Sequence, residues 1–164
     1  MAKDPKPKED DNVGDEESEN VASELDELTH KELRLLHAEA SQAILFAKNI
    51  QWRSVGSSLL VFAAMVFIAV ETDADDSFIR LMSFVTIVLT CGVIFVLVMY
   101  QFWQFNEISR IREAEKHFSS LYRDIRDIKS SREGNVHRYT LLLFMILVVI
   151  IGAIVANVGL TQAG

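Results

Sequence analysis

The feature that most constrains this chain is the collection of its apolar residues into three long segments, at 54–70, 78–105 and 139–160. The charged residues lie mostly between these segments. A helix that crosses the hydrocarbon layer of a bilayer needs about 20 consecutive apolar residues, and a soluble domain does not segregate its residues in this way. We therefore predict an all-α integral membrane protein with three transmembrane helices, at 54–70, 78–105 and 138–160.

The other parts of the chain are assigned from their polarity and helical periodicity. Thr29 and Glu32 have the spacing of a capping box, which predicts the start of a helix. Gly134 and Asn135 indicate a helix end. The predicted parts are an acidic disordered tail (1–28), a cytoplasmic helix that runs into the first span (29–53), a short acidic outer loop (71–77), a cytoplasmic amphipathic helical connection (106–137) and an outer C-terminus (161–164).

The negative charge of the chain belongs to its N-terminal tail. The formal net charge is −7, yet residues 1–27 contain three lysines and eleven acidic residues. The rest of the chain is almost neutral. A tail of this kind is typical of a solvated extension or of a segment that binds a basic partner, and it disfavours nucleic acid.

Lysine and arginine predict the orientation of the chain. The 71–77 loop contains neither residue, whereas the 106–138 connection contains eight and the 31–53 segment contains four. The positive-inside rule therefore places the N-terminus and the long connection in the cytoplasm, with the C-terminus outside. We expect the membrane to be the bacterial inner (cytoplasmic) membrane.

Two heptad seams lie outside the apolar segments. Spacings of three and four residues indicate helix faces that pack on another helix. A straight helix over 106–133 would extend about 42 Å from the membrane, which is too far for the third span to begin near Tyr139. The connection must therefore lie flat on the membrane surface or fold back on itself, with Ser119 and Ser120 as the bend. The first seam comprises Leu33, Leu36, Ala40, Ala43, Ala47 and Ile50, and the second comprises Ile111, Ala114, Phe118, Leu121, Ile125 and Ile128.

The apolar segments contain few groups that could carry chemistry. No His, Asp, Glu, Lys or Arg lies at mid-membrane depth, where transport and proton-relay sites place them. No two histidines have the i, i+4 spacing of a helical metal site, and Cys91 is the one cysteine. We expect no enzymatic activity, cofactor, metal, small-molecule substrate or nucleic acid.

Small and polar residues favour helix packing within the membrane. Gly152, Ala156 and Gly159 share one face of the third segment, and Ser83, Thr86 and Thr90 share one face of the second. Small faces permit close helix approach, within the chain or against a partner. The predicted partner-binding residues are Gly152, Ala156, Gly159, Leu33, Leu36, Ala40, Ala43, Ile50, Ile111, Phe118, Leu121 and Ile125.

These patterns favour a non-enzymatic membrane subunit, either an accessory or scaffold component of a larger complex or a homo-oligomer. Its expected partners are other membrane subunits, itself and the bilayer. An oligomeric channel or pore-forming effector is the alternative, because the order of elements over roughly 29–133 resembles small bacterial effector modules with two spans between cytosolic helices. A regulatory subunit whose acidic tail binds a basic partner is a third hypothesis.

Overall fold

The computed structural model describes residues 21–72, 75–127 and 131–163, with side chains left undescribed at 127 and 131–135. The described residues contain helices and no strand. The predicted tail up to residue 20, Ile128 of the second seam and Gly164 lie outside them. The helices are α1 (Glu27–Glu71), α2 (Asp76–Glu115), α3 (Ser120–Asp127) and α4 (Ser131–Ala163).

Helix α1 is a single helix that contains both the predicted cytoplasmic helix and the first apolar segment. Its N-cap is Asp26, whose carboxylate accepts hydrogen bonds from the backbone N–H groups of Leu28 and Thr29. The prediction of Thr29 as the cap is therefore wrong. An aspartate three residues earlier satisfies the free N–H groups and adds a negative charge at the positive end of the helix dipole.

Helix α2 runs antiparallel to α1 and forms a long hairpin with it. Asp75 caps α2 by accepting a hydrogen bond from the Phe78 N–H. At the end of the hairpin where α1 meets α2, Ala69 and Ile79 lie in one buried cluster. At the other end, the His30 ring packs edge-on against Phe118. The two helices therefore stay paired far beyond the apolar segments.

The predicted connection between the second and third spans is divided between three helices. Helix α2 continues from the second apolar segment to Glu115, and α3 begins at Ser120. The Arg126 Nε lies 2.8 Å from the Glu115 Oε1, which requires α3 to fold back beside the end of α2. The chain therefore adopts the folded-back alternative, with its bend at 116–119.

Helix α4 packs parallel to α1. Gly152 lies against Leu59, and Gly159, two turns later, lies against Val66, two turns after Leu59. Helix α4 passes through 134–135, so the predicted helix end there is wrong. An interior glycine costs a helix about 1 kcal/mol, which the long apolar helix that follows outweighs.

The interior of the three-helix bundle is narrow, and most apolar side chains face outward. Between 17% and 28% of the residues in the most apolar window of each long helix are buried. Outward apolar side chains suit lipid, and three described helices are long and apolar enough to cross a membrane. The main core cluster comprises Val55, Phe62, Val93, Leu97, Met145, Val149, Ala153 and Ala156.

Candidate functional site

The small-residue face of α4 is covered by α1 of the same chain. A methyl group added at Gly152 would meet the Leu59 and Phe62 side chains, and one added at Gly159 would meet Val66. Ala156 is 3% exposed in the core. The structure thus adopts the intramolecular alternative for these residues, and partner binding through this face stays a prediction.

The first heptad seam faces α2. Ala40 and Ala47 are buried, and His37 and Gln51, on the same side of α1, contact residues of α2. Small alanine side chains let the two backbones approach closely. The other predicted residues of this seam, Leu33, Leu36, Ala43 and Ile50, are half-buried.

The second seam divides between a buried and an exposed part. Ile111 and Phe118 are buried in the hairpin. Leu121 and Ile125, on α3, are 49% and 61% exposed. The fold-back explains the difference, because α3 turns Tyr122 and Arg126 toward the hairpin and its apolar face away from it. Leu121 and Ile125 therefore remain available to a partner.

A polar cluster, which we call the tip cluster, joins α1, α2 and α3 at the end of the hairpin. It consists of His37, Glu115, Tyr122 and Arg126. The Glu115 Oε1 lies 2.8 Å from Arg126 Nε and 3.5 Å from His37 Nε2, which is 3.2 Å from the Tyr122 hydroxyl. Glu115 is 8% exposed, so its carboxylate is held by Arg126 and His37 rather than by water.

The environment of Tyr122 favours its neutral hydroxyl. Burial raises the pKa of Tyr122 and the nearby Glu115 carboxylate raises it further, while Arg126 acts in the opposite direction. A neutral phenol can stay hydrogen-bonded beside a carboxylate. The tip cluster therefore fixes the position of α3, and its geometry is that of a structural ion pair.

The tail joins the bundle beside this cluster. The Val21 N–H donates to the Ser120 hydroxyl, and the Ser120 N–H donates to the Val21 carbonyl. The Ser23 hydroxyl donates to the His117 carbonyl. Residues 21–26 are thereby held against the turn that precedes α3.

A second polar group, which we call the glutamine layer, lies inside the bundle and was missed by the sequence analysis. It consists of Gln51, Gln101 and Gln104, each at most 3% exposed. The Gln51 Nε2 donates to the Leu97 carbonyl and the Gln104 Nε2 donates to the Gln51 Oε1, both over 2.9 Å. The Gln101 amide makes no hydrogen bond to a described residue. The i, i+3 spacing of Gln101 and Gln104 in an apolar segment was the signal available.

The face of α2 that contains Thr86 and Thr90 points into the bundle. Thr86 is fully buried, and its hydroxyl donates to the Met82 carbonyl and approaches Met65. The Thr90 hydroxyl donates to the Thr86 carbonyl. Within one chain, these hydroxyls satisfy the backbone of their own helix, and Thr86 lines no open surface.

Two cations lie close together where α1 and α4 leave the apolar region. Lys48 precedes the first apolar segment and is half-buried. Burial lowers the pKa of the Lys48 ammonium, and repulsion by Arg138 lowers it further. Arg138 is in turn close enough to Arg112 and Arg126 to be repelled by both.

Large apolar side chains are exposed in parts of the hairpin that lie beyond the apolar segments. Leu28 and Leu35 of α1 are 67% and 71% exposed. A stretch of about 20 residues, counted back from the Glu71 end of α1, reaches Gln51 of the glutamine layer. Leu35 lies about 24 Å farther along the helix axis.

In the part of the chain that the structure describes, we find no group of three or more histidine, cysteine or acidic side chains with the geometry to hold a metal. Comparison with known proteins adds no assignment: no protein-family model, curated protein or solved structure matches the chain. The candidate site therefore rests on the surfaces and clusters described above.

Proposed function

We propose that the chain is a non-enzymatic membrane subunit, an accessory or scaffold component of a larger membrane complex or of a homo-oligomer. The observation that carries this proposal is the exposure of Leu28 and Leu35 on a part of α1 that would lie in water if the apolar segments cross a membrane. Apolar side chains exposed together in water mark surfaces that bind another protein. Leu121 and Ile125 on α3 offer a second surface of the same kind.

The orientation in the membrane belongs to the same proposal. The Lys/Arg bias puts the N-terminus and α3 in the cytoplasm and the end of α4 outside, with a bacterial inner membrane as the location. Both exposed apolar surfaces would then face cytoplasmic parts of partner subunits.

The test is the mass of the full chain in mild detergent. We expect the wild-type chain to form an assembly of defined mass, with itself or with a stoichiometric partner. The assembly of the double variant Leu28→Ser/Leu35→Ser should dissociate at protein concentrations at least tenfold higher than the wild-type assembly does, since the variant loses two exposed leucines. The control Ala38→Ser changes an exposed alanine of the same helix half and should keep the assembly.

A wild-type chain that stays strictly monomeric, without a co-purifying protein, would contradict the proposal. Retention of the assembly by the double variant would contradict the assignment of the α1 surface. The pore-forming alternative is tested separately, by measuring ion flux across the membranes of liposomes that contain the protein.

A further inference from the structure

One exposed face of α1 has a seven-residue repeat along most of the helix. It lies opposite the first heptad seam, which faces α2, because the two rows are separated by about half a turn of the helix. All of its members are exposed in the single chain, and we call this row the outer seam. The outer seam comprises Leu28, Leu35, Gln42, Asn49, Gly56 and Ala63.

The side chains of the outer seam become smaller where α1 enters its apolar segment. Leu28 and Leu35, which are 67% and 71% exposed, lie in the part that would be in water if the apolar segments cross a membrane. Gly56 and Ala63 lie within the apolar segment. Helices associate in water through leucine side chains, and in lipid through small residues that let the backbones approach. The outer seam therefore suits helix packing in both environments.

Gly56 has no packing role within the single chain. A methyl group added at Gly56 would meet no atom of the described residues within 4 Å, whereas one added at Gly152 would meet Leu59. A glycine inside a helix makes the helix less stable than an alanine would. The space beside Gly56 is therefore open to a neighbour that does not belong to the same chain.

Segment 1–20 is the longest part of the chain outside the described residues, and its composition does not provide a cover for the outer seam. Apart from two prolines, its apolar residues are Met1, Ala2 and Val13, and most of the others are charged or polar. The outer seam is about 52 Å long. A partner that covers it must supply a long helix with its own apolar face.

The charges beside the outer seam fit a parallel second copy of α1. Arg34 and Glu39 are both exposed, on opposite sides of the seam. In a parallel pair of helices, flanking residues five positions apart face each other across the contact, so Arg34 of each copy would face Glu39 of the other. Glu27 would face Glu32 of the second copy, but the Lys31 Nζ already binds Glu27 over 2.7 Å within its own chain.

We propose that the outer seam binds the outer seam of a second copy of this chain, in a parallel pair of α1 helices. Copies that insert into one membrane in the same sense have parallel α1 helices, so a twofold axis brings each residue of the row to its own counterpart. The leucines then pack in water, and the small residues pack in lipid. This inference rests on the proposed membrane function and names a second copy as the partner.

The experiment measures the dissociation constant of the pair by energy transfer between two dye-labelled populations of the full chain in detergent micelles. The dyes are attached at Glu24→Cys, an exposed position, in a Cys91→Ser background. We expect Arg34→Glu and Glu39→Arg each to raise the dissociation constant about tenfold, because two ion pairs become repulsions. The double variant Arg34→Glu/Glu39→Arg should return it to within about threefold of the wild-type value, because the pairs form again with their charges exchanged.

A matched pair of glycine variants tests the part of the seam inside the apolar segment. Gly56→Ile should raise the dissociation constant about tenfold, because the added side chains hold the two helices apart. Gly92→Ile adds the same side chain at an equally open position of α2, away from the outer seam, and should change the dissociation constant less than about twofold.

A double charge variant that binds no better than the single variants would overturn the inference, and so would equal effects of Gly56→Ile and Gly92→Ile. A chain that assembles with a different protein, while its own copies show no energy transfer, contradicts this inference alone. A chain that stays monomeric without any partner contradicts the proposed function and this inference together.

Discussion

Gln51 holds two partners at once in the glutamine layer. It donates to the Leu97 carbonyl and accepts from the Gln104 amide, so one side chain connects α1 to two turns of α2. Gln101 in the same layer has no described partner. Buried amides contribute stability when they are paired and cost stability when they are not. Replacing these glutamines by leucine should therefore change the stability in opposite directions, with a loss at Gln51 and a gain at Gln101.

We predict that Gln51→Leu destabilises the bundle by about 1–3 kcal/mol, since it leaves the Gln104 amide buried without an acceptor. Gln51→Leu/Gln104→Leu should recover most of this loss, because both partners are then apolar. The measurement is the free energy of unfolding in detergent. An undiminished loss in the double variant would show that the hydrogen bond is not the cause.

Gln101→Leu is predicted to raise the free energy of unfolding by about 1 kcal/mol, as it removes an unpaired buried amide of similar volume. The same unfolding assay applies. A loss comparable to that of Gln51→Leu would contradict the described environment of Gln101.

From the sequence, Gln101 and Gln104 can be recognised as neighbours on one helix face, but the residue of α1 that contacts them cannot be identified. Two glutamines three residues apart in an apolar segment lie on one helix face. Which residue of α1 meets them depends on the register of the hairpin, and heptad spacing permits shifts of a whole heptad. Contacts along the whole hairpin, from Ala69 with Ile79 to His30 with Phe118, determine that register.

The helix elements depend on two kinds of contact, ion pairs at α3 and close packing at α4. Helix α3 has eight residues, too few to be stable alone. Its Arg126 and Tyr122 attach it to Glu115 and His37. Helix α4 is held instead by the fit of its glycines against α1.

Glu115→Ala is predicted to release α3, because Arg126 then loses its carboxylate and His37 keeps only the Tyr122 hydroxyl as a partner. Amide hydrogen exchange over 120–127 should accelerate at least tenfold while exchange in the core of α1 stays unchanged. The matched control is Glu113→Ala, whose exposed pair with Lys116 contributes little. Unchanged exchange in Glu115→Ala would mean that α3 is held by other contacts.

Gly152→Ile is predicted to destabilise the packing of α4 on α1 by about 1–3 kcal/mol, since the new side chain meets Leu59 and Phe62. Gly92→Ile places the same side chain on α2 where no atom lies within 4 Å, and it should be nearly neutral. The free energy of unfolding in detergent distinguishes the two. Equal effects would show that helix propensity, not packing, determines the result.

Periodicity predicted the long helices, and the length of the connection left lying flat and folding back as alternatives, but the sequence did not show where each helix begins or ends. The cap at Asp26 and the passage of α4 through 134–135 depend on which backbone groups remain to be satisfied. Likewise, the small-residue stripe indicated that α4 packs closely without identifying α1 as the surface it contacts. That choice requires the three-dimensional order of the helices.

The whole molecule is a bundle whose three long helices alternate in direction. Helices α1 and α4 run one way and α2 runs the other, so a bundle that crosses a membrane with all three helices would have the two ends of the described chain on opposite sides. The segregation of apolar residues predicted the three long apolar helices, because a helix satisfies the backbone of each segment internally. The extension of the hairpin beyond the membrane could not be obtained from hydropathy.

Cysteine labelling tests this topology. In a Cys91→Ser background, Thr161→Cys should react with a membrane-impermeant maleimide added to whole cells, and Glu24→Cys should react after permeabilisation alone. Both substituted positions are exposed. Reaction of both cysteines from the same side would contradict three crossings.

The contact of Gly152 with Leu59 also has a consequence for biosynthesis. Roughly 90 residues separate the two positions, so at about 5–20 residues per second the ribosome needs several seconds to reach the second after making the first. The hairpin is complete once Glu115 has been made, and in an inserted chain its groove for α4 would then face acyl chains until α4 is synthesised. The nascent protein must keep this groove unoccupied until its own final helix arrives.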